Sequence, residues 1–379
     1  MKNSRMIQGF RSNLTLKLVA LWLASVLMVW TLALVIAERI PQTTTFEHPR
    51  SAVNVLSEWD GEHYAIIAAD GYSIDGEERR RLAFFPLLPT VARFLGGVFY
   101  SNLAGILLSQ LCFLGCILLI NRIFSEDKLP ETLRHQPGFW LLVSPLSFFF
   151  LVFYAESLYL FLTLLMIFAS RREHFKTAVA LGILVGLTRP TAICLPVIFL
   201  WWAAVNFRHG KNYAGLLMCA ISPLLGLLLY FGAVGYLVGE PLAYFHIQSK
   251  WWTSQPAIPF VALFADLKGS LLALSDGKIY PVDIFVRLFS SIVVIILIIW
   301  GWRKCDTAFW LYLVVGMIFI HSQEPHRSTA RYELVLFPVY FLISKAMGRY
   351  PRLSATIAAA SIIIQIMLFI RYSAKLWVA

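Results

Sequence analysis

The sequence predicts an all-α membrane protein, a bundle of many spanning helices forming one integral domain over residues 1–379. Three observations predict it. The chain is 59% hydrophobic and 14% charged, with a mean hydropathy of +0.72, whereas a water-soluble domain carries about a quarter charged residues. The apolar residues come in blocks of about 15–25, the length a helix needs to cross a bilayer. Within the blocks, polar and apolar positions do not alternate as a transmembrane β-barrel requires.

The blocks expected to span are, in order, Leu14–Ala37, Leu103–Ile120, Phe139–Phe153, Ser157–Ala169, Ala178–Leu187, Thr191–Val205, Tyr213–Val238, Ile284–Trp302, Ala308–Ile320, Leu334–Ile343 and Ser354–Ile370, about eleven helices. The first follows Lys2, Arg5 and Arg11, carries Lys17 near its start and exceeds the core of about 7–15 residues of a signal peptide, so it reads as a retained signal-anchor helix. The block Leu82–Tyr100 contains Pro86, Pro89 and Arg93 and is expected to lie along the membrane surface. As a full span it would invert every loop that follows. With it on the surface, the loops predicted inside carry Arg122, Lys128 and Arg134; Arg171, Arg172 and Lys176; Arg208 and Lys211; Arg303 and Lys304; and Lys345, Arg349 and Arg352, as the positive-inside rule demands. Topology and anionic headgroups then account for the net charge of +11 better than nucleic acid does. The five cysteines, Cys112, Cys116, Cys194, Cys219 and Cys305, form no CxxC and fall in no predicted outer loop. They read as small buried hydrophobes.

That topology leaves two long outer loops, 38–102 and 239–283, and brings the unusual polar residues to one face. The first loop holds SEWDGEHYAIIAADGY (Ser57–Tyr72), with Trp59, Asp60, Glu62, His63 and Tyr72. A carboxylate held at headgroup level between aromatic residues is suited to general-base work, and Asp60 is the candidate, with His63 beside it. Arg189 sits where Pro190 breaks an apolar stretch. An arginine there is expensive unless it is paired or functional, and its planar donors suit a phosphate. Glu156 interrupts the apolar run at FYAES and reads equally as a turn cap, an ion-pair partner of Arg189 or a site residue. His326, Arg327 and Arg331 lie in EPHRSTARYE, where two arginines four apart share a helical face and form a candidate phosphate clamp. Trp251 and Trp252 read first as an interfacial aromatic belt and second as a sugar-stacking surface. Glu58, Asp60, Glu62 and His63 could supply ligands to a divalent cation; no cofactor is otherwise implied. The sequence lacks a P-loop, GxGxxG, HExxH and zinc spacing, so a cytosolic nucleotide is not implied, and it shows no internal repeat of the kind many transporters carry.

WDGEHYAIIAADGY followed by AFFPLLP (Ala83–Pro89), SPLSFFFLVFYAESLYLFLTLL (Ser144–Leu165), GILVGLTRPT (Gly182–Thr191) and RYELVLFPVY (Arg331–Tyr340) together resemble the PIG-V family, the second mannosyltransferase of GPI-anchor synthesis and its prokaryotic relatives. The resemblance lies in the order of the motifs and runs through most of the chain. It implies a GT-C glycosyltransferase fold and a sugar donor on a polyprenyl phosphate. It also implies an essential acid in the first outer loop, at Asp60. On that footing Asp60 deprotonates an acceptor hydroxyl, while Arg189, Arg327 and Arg331 steady the departing phosphate in an inverting transfer. The expected setting is a bacterial or archaeal cytoplasmic membrane, or the endoplasmic reticulum in a eukaryote, with the acceptor a lipid-linked, protein or glycan hydroxyl. A flippase of lipid-linked sugars is the rival class, and a non-catalytic scaffold the third.

Overall fold

The computed structural model describes residues 2–39, 51–127, 129–275, 282–324 and 328–378. Lys128, His326, Arg327, residues 40–50 of the first predicted loop and residues 276–281 of the second lie outside them. The apolar blocks fold as helices, because a helix satisfies every backbone group within one segment where lipid offers no partner. In chain order these are α1 (Lys2–Arg39), α2 (Ala52–Val55), α3 (Asp60–Asp70), α4 (Leu87–Gly96), α5 (Ser101–Ile123), α6 (Pro137–Val143), α7 (Glu156–Arg171), α8 (Phe175–Gly186), α9 (Pro196–Arg208), α10 (Ala214–Val238), α11 (Ala243–Trp252), α12 (Val261–Ser275), α13 (Val282–Gly301), α14 (Thr307–Ile320), α15 (Thr329–Glu333), α16 (Pro338–Met347) and α17 (Pro351–Ser373). The chain is an all-α membrane protein, with one minimal exception: Gln255–Pro256 pairs antiparallel with Gln323–Glu324.

Among the described residues, six segments are long and apolar enough to cross a membrane alone: Asn13–Arg39, Ser101–Ile123, Pro190–Arg208, Ala214–Val238, Val282–Gly301 and Pro351–Ser373. The other predicted spans are shorter or broken, for visible reasons. Phe139–Phe153, expected as one helix, stops at Val143 before Ser144 and Pro145, then makes a 3-10 turn over Ser147–Phe150. The expected helix from Leu334 begins instead at Pro338, since proline has no N–H to lose at a helix start. The second long loop is largely helical, holding α11 and α12. Leu82–Tyr100 contains α4, which at 10 residues is about 15 Å long, half the hydrocarbon thickness.

Two sets of connections sit at opposite ends of the helices. Glu156 opens α7 and Arg171 closes it, where Arg171 donates to Ile123 O at 2.8 Å and approaches Asp306 at 3.7 Å. Arg134 Nε donates to Gly348 O at 3.0 Å and Lys345 Nζ to Lys304 O at 2.7 Å. The basic connections therefore interlock with one another, away from Glu156. Between the ends, aromatic packing dominates: Phe113 stacks on Phe150 at 4.9 Å and Phe124 on Phe341 at 4.2 Å. α8 and α10 approach at Gly186 and Gly226. A Cβ on Gly186 would stand 2.2 Å from Pro223 O, so only glycine permits this contact. That closeness fixes the end of α8, from which Arg189 emerges.

Candidate active site

The end of the bundle that includes Glu156 gathers four charged residues from four distant parts of the chain. Glu156 is the first residue of α7. Arg189 precedes Pro190, in extended backbone just before a 3-10 turn. Arg331 lies in α15, and Asp60 starts α3. Arg331 Nη1 meets Asp60 Oδ2 at 2.7 Å. Its Nε lies 3.3 Å from Glu156 Oε1, close enough for an ion pair although off the hydrogen-bond direction. Arg189 Nη1 pairs with the same Glu156 oxygen. Two carboxylates and two guanidiniums thus form a formally neutral chain. Side-chain exposure is 2% for Glu156, 7% for Arg189 and 8% for Arg331, but 25% for Asp60. The carboxylate of Asp60 is the accessible end of an otherwise buried network.

Aromatic faces hold the guanidiniums in place. Arg189 lies 4.9 Å over Tyr332, and Arg331 lies 5.1 Å over Tyr154 and 5.7 Å over Phe149. Each such cation–π contact adds about 1–2 kcal/mol when desolvated. Glu333, two residues after Arg331, accepts from Ser290 Oγ, Ser291 Oγ (2.6 Å) and His321 Nε2 (3.2 Å). These bonds tie α15 to α13 and α14 and so fix the register of Arg331.

The segment leading into Asp60 is pinned just as tightly. Tyr154 OH accepts from Asp60 N–H at 3.2 Å and lies 3.3 Å from Glu58 O, to which it donates. Tyr372 OH donates to the same carbonyl at 3.0 Å. Trp59 adopts φ 59°, ψ −120°, a conformation that costs a residue with a side chain about 1–3 kcal/mol. It is kept there by Trp59 Nε1 donating to Tyr372 O at 3.1 Å and by edge-on contact with Trp377 at 5.3 Å. The strain sits immediately before Asp60 and aims α3.

The remaining predicted site residues separate into different environments. His63 makes no hydrogen bond with Asp60 and occupies an aromatic slot instead, stacked on Phe84 at 4.6 Å and edge-on to Trp252 at 5.3 Å. Burial pushes its imidazole down to about 4; Asp60 opposes the shift, and Arg80 and Arg81 reinforce it. The ring is neutral at physiological pH. Tyr72 OH donates to Phe84 O at 2.7 Å, and Tyr230 OH to the same carbonyl at 2.6 Å, a structural clamp on the slot. Glu62 pairs with Lys375 at 3.2 Å. Trp252 lines the slot, whereas Trp251 stands beside Lys250 with 5.1 Å between ammonium and ring. His326 and Arg327 lie outside the described residues. The metal-ligand expectation does not hold in its predicted form: Asp60, Glu62 and His63 are near neighbours on one helix and point to different partners. Among the described residues no three His, Cys, Asp or Glu side chains come together to hold an ion.

Tyr154 and Glu333 fall in motifs the sequence assigned to this face but gave no role, and Tyr372 and Lys375 were not expected here at all. Sequence reading also missed Arg79–Arg81, although three consecutive arginines in a loop predicted outside already contradict the charge pattern of the other loops.

This chain is similar to the curated proteins named GPI alpha-1,6-mannosyltransferase 2 from Mus musculus, Rattus norvegicus and Cricetulus griseus, at 32% identity over 122 residues in each case. The match takes in 28% of this chain and 23% of each relative's length. It supports, at a distance, the family resemblance carried by the motifs. No family model matches the chain, and no solved structure does.

Proposed function

We propose that the chain is a membrane glycosyltransferase that moves a sugar, mannose foremost, from a polyprenyl-phosphate donor to an acceptor hydroxyl. One observation carries the reading: Asp60 is the single accessible carboxylate of a buried, charge-balanced chain in which Arg331 fixes its orientation. A preoriented, accessible base is what deprotonation of an incoming hydroxyl needs. The similarity to proteins named as α-1,6-mannosyltransferases supports both the sugar and the reaction class.

In this reading the acceptor hydroxyl loses its proton to Asp60 Oδ while its oxygen bonds to the anomeric carbon. The bond from that carbon to the phosphate oxygen breaks, and polyprenyl phosphate leaves with the electron pair. Direct displacement inverts the anomeric centre. Arg331 and Arg189 are already engaged by acids, so they act as positioning residues for Asp60, in place of the phosphate clamp expected from sequence. In this reading the Asp60 end is extracytoplasmic, a side supported by the positive-inside rule, which favours the cytoplasm for the interlocked basic connections.

The test is transfer by the purified chain in proteoliposomes with a polyprenyl-phosphate sugar labelled in both lipid and sugar. Release of free polyprenyl phosphate with loss of sugar from the lipid is the expected result. Donor that crosses the bilayer intact would mark a flippase and contradict it.

A further inference from the structure

The charges around Asp60 cancel, since each guanidinium there has a carboxylate partner. An arriving phosphate finds no uncompensated cation in that quartet. One lies close by. Residues Gly76–Ala83 form a 3-10 helix carrying Arg79, Arg80 and Arg81. Arg79 pairs with Glu240 at 3.5 Å, and Arg81 pairs with Glu78. Arg80 differs in having no acid within ion-pair distance among the described residues, and its Nε, like those of Arg79 and Arg81, is buried without a hydrogen-bond partner.

The surroundings of Arg80 are those of the slot beside Asp60. Its carbonyl accepts from Trp252 Nε1 at 3.3 Å, and Trp252 is the ring that packs edge-on against His63. His63 Nδ1 is likewise buried with no hydrogen-bond partner. Arg80 lies near enough to His63 to act on its charge, and each carries a buried polar atom without a partner, which is rare in folded proteins. Both would be satisfied by an anion presenting several oxygens. A guanidinium grips two such oxygens in parallel, a neutral imidazole donates to a third, and an aromatic wall suits the face of a pyranose or the first isoprene unit.

We infer that Arg80, His63 and Trp252 form the binding site for the phosphodiester of a lipid-linked sugar, set beside the Asp60 carboxylate. The inference rests on the transferase reading and deepens it: Arg189 and Arg331 hold the base, and Arg80 holds the leaving group. As polyprenyl phosphate departs, charge grows on the oxygens facing Arg80, so the contact strengthens along the reaction.

The chain reconstituted in phosphatidylcholine nanodiscs is titrated with farnesyl phosphate, and binding is read from tryptophan fluorescence. Arg80→Gln is expected to weaken binding about 10- to 100-fold, the loss of one charge-assisted contact. Arg80→Lys falls between the two, because a point charge lacks the planar fork, and it carries the test should Arg80→Gln misassemble. Farnesol, which has no phosphate, binds wild type and variants alike. Equal affinity of wild type and both variants for farnesyl phosphate overturns the inference. So does displacement by phosphatidylglycerol at matching concentration, which would mark a general headgroup site. Sugar transfer by the wild type is measured separately. Arg80-dependent binding without transfer leaves this site standing and removes the transferase; transfer with Arg80-independent binding does the reverse.

Discussion

Replacing Glu156 with Gln tests the buried charge network most severely. Glu156 is 2% exposed and faces Arg189 at 7% and Arg331 at 8%. The amide cannot balance them, and Asp60 reaches only Arg331. Arg189 is left charged, buried and without an acid. Breaking one side of a buried pair costs about 3–5 kcal/mol, more than any exposed ion pair on this chain supplies, since those contribute about 0–1 kcal/mol. Chemical denaturation of the purified protein in detergent, monitored by circular dichroism, reads the loss. The double variant Glu156→Gln/Arg189→Gln is expected to recover part of it, because the orphaned charge goes with its partner; coupling of about 0.5–3 kcal/mol is typical of direct contacts. A Glu156→Gln protein within about 1 kcal/mol of wild type, the range of a surface pair, would refute the reasoning. So would a double variant as unstable as the sum of the two single ones.

Three further outcomes follow from the same geometry. The folded value of His63, about 4, lies below its ordinary 6.5, so below pH 6.5 the unfolded chain binds the extra proton. The stability of the neutral, buried ring is full above pH 6.5 and lost as pH falls toward 4, by about 3 kcal/mol at most; His63→Gln should flatten that slope in a pH series of denaturation midpoints. Gly186→Ala puts a methyl group 2.2 Å from Pro223 O and should destabilise by about 1–3 kcal/mol, with transfer falling further because α8 delivers Arg189. Glu333→Gln turns one of the two oxygens that accept three bonds into a donor and should lower kcat more than it raises the donor KM, since it loosens Arg331 without touching the slot at Arg80.

The helices, the chemistry-bearing residues and one partnership, Glu156 with Arg189, were legible in the sequence; the other partnerships were not. Glu156 and Arg189 stand out because each is a charge in an apolar run, where its presence needs a reason, and Asp60 and Arg331 because they lie in polar loop motifs assigned to the same face. That all four form one neutral chain could not be read, because the pairing joins α3, α7, the break after α8 and α15, and depends on how the helices pack. The Arg189–Glu156 pair was open to sequence as one of two readings of Arg189, whereas the acids that engage Arg331, Asp60 and Glu156, lie too far away along the chain to be read as its partners. Broken spans failed for a local reason. Ser144-Pro145 and Pro338 interrupt apolar runs that hydropathy treats as continuous, and the interruptions place Tyr154 and Arg331 where they meet Asp60. The one local signal passed over, Arg79–Arg81 on a loop assigned outside, was visible as an exception to the charge rule that set the topology.

Sugar transfer by Asp60→Asn, set beside farnesyl phosphate binding by the same preparation, separates the base from the donor site. Transfer is expected to fall at least about 100-fold, the usual contribution of a positioned base, with binding of the phosphate probe unchanged. Transfer equal to wild type at equal expression would contradict it and remove Asp60 from the chemistry.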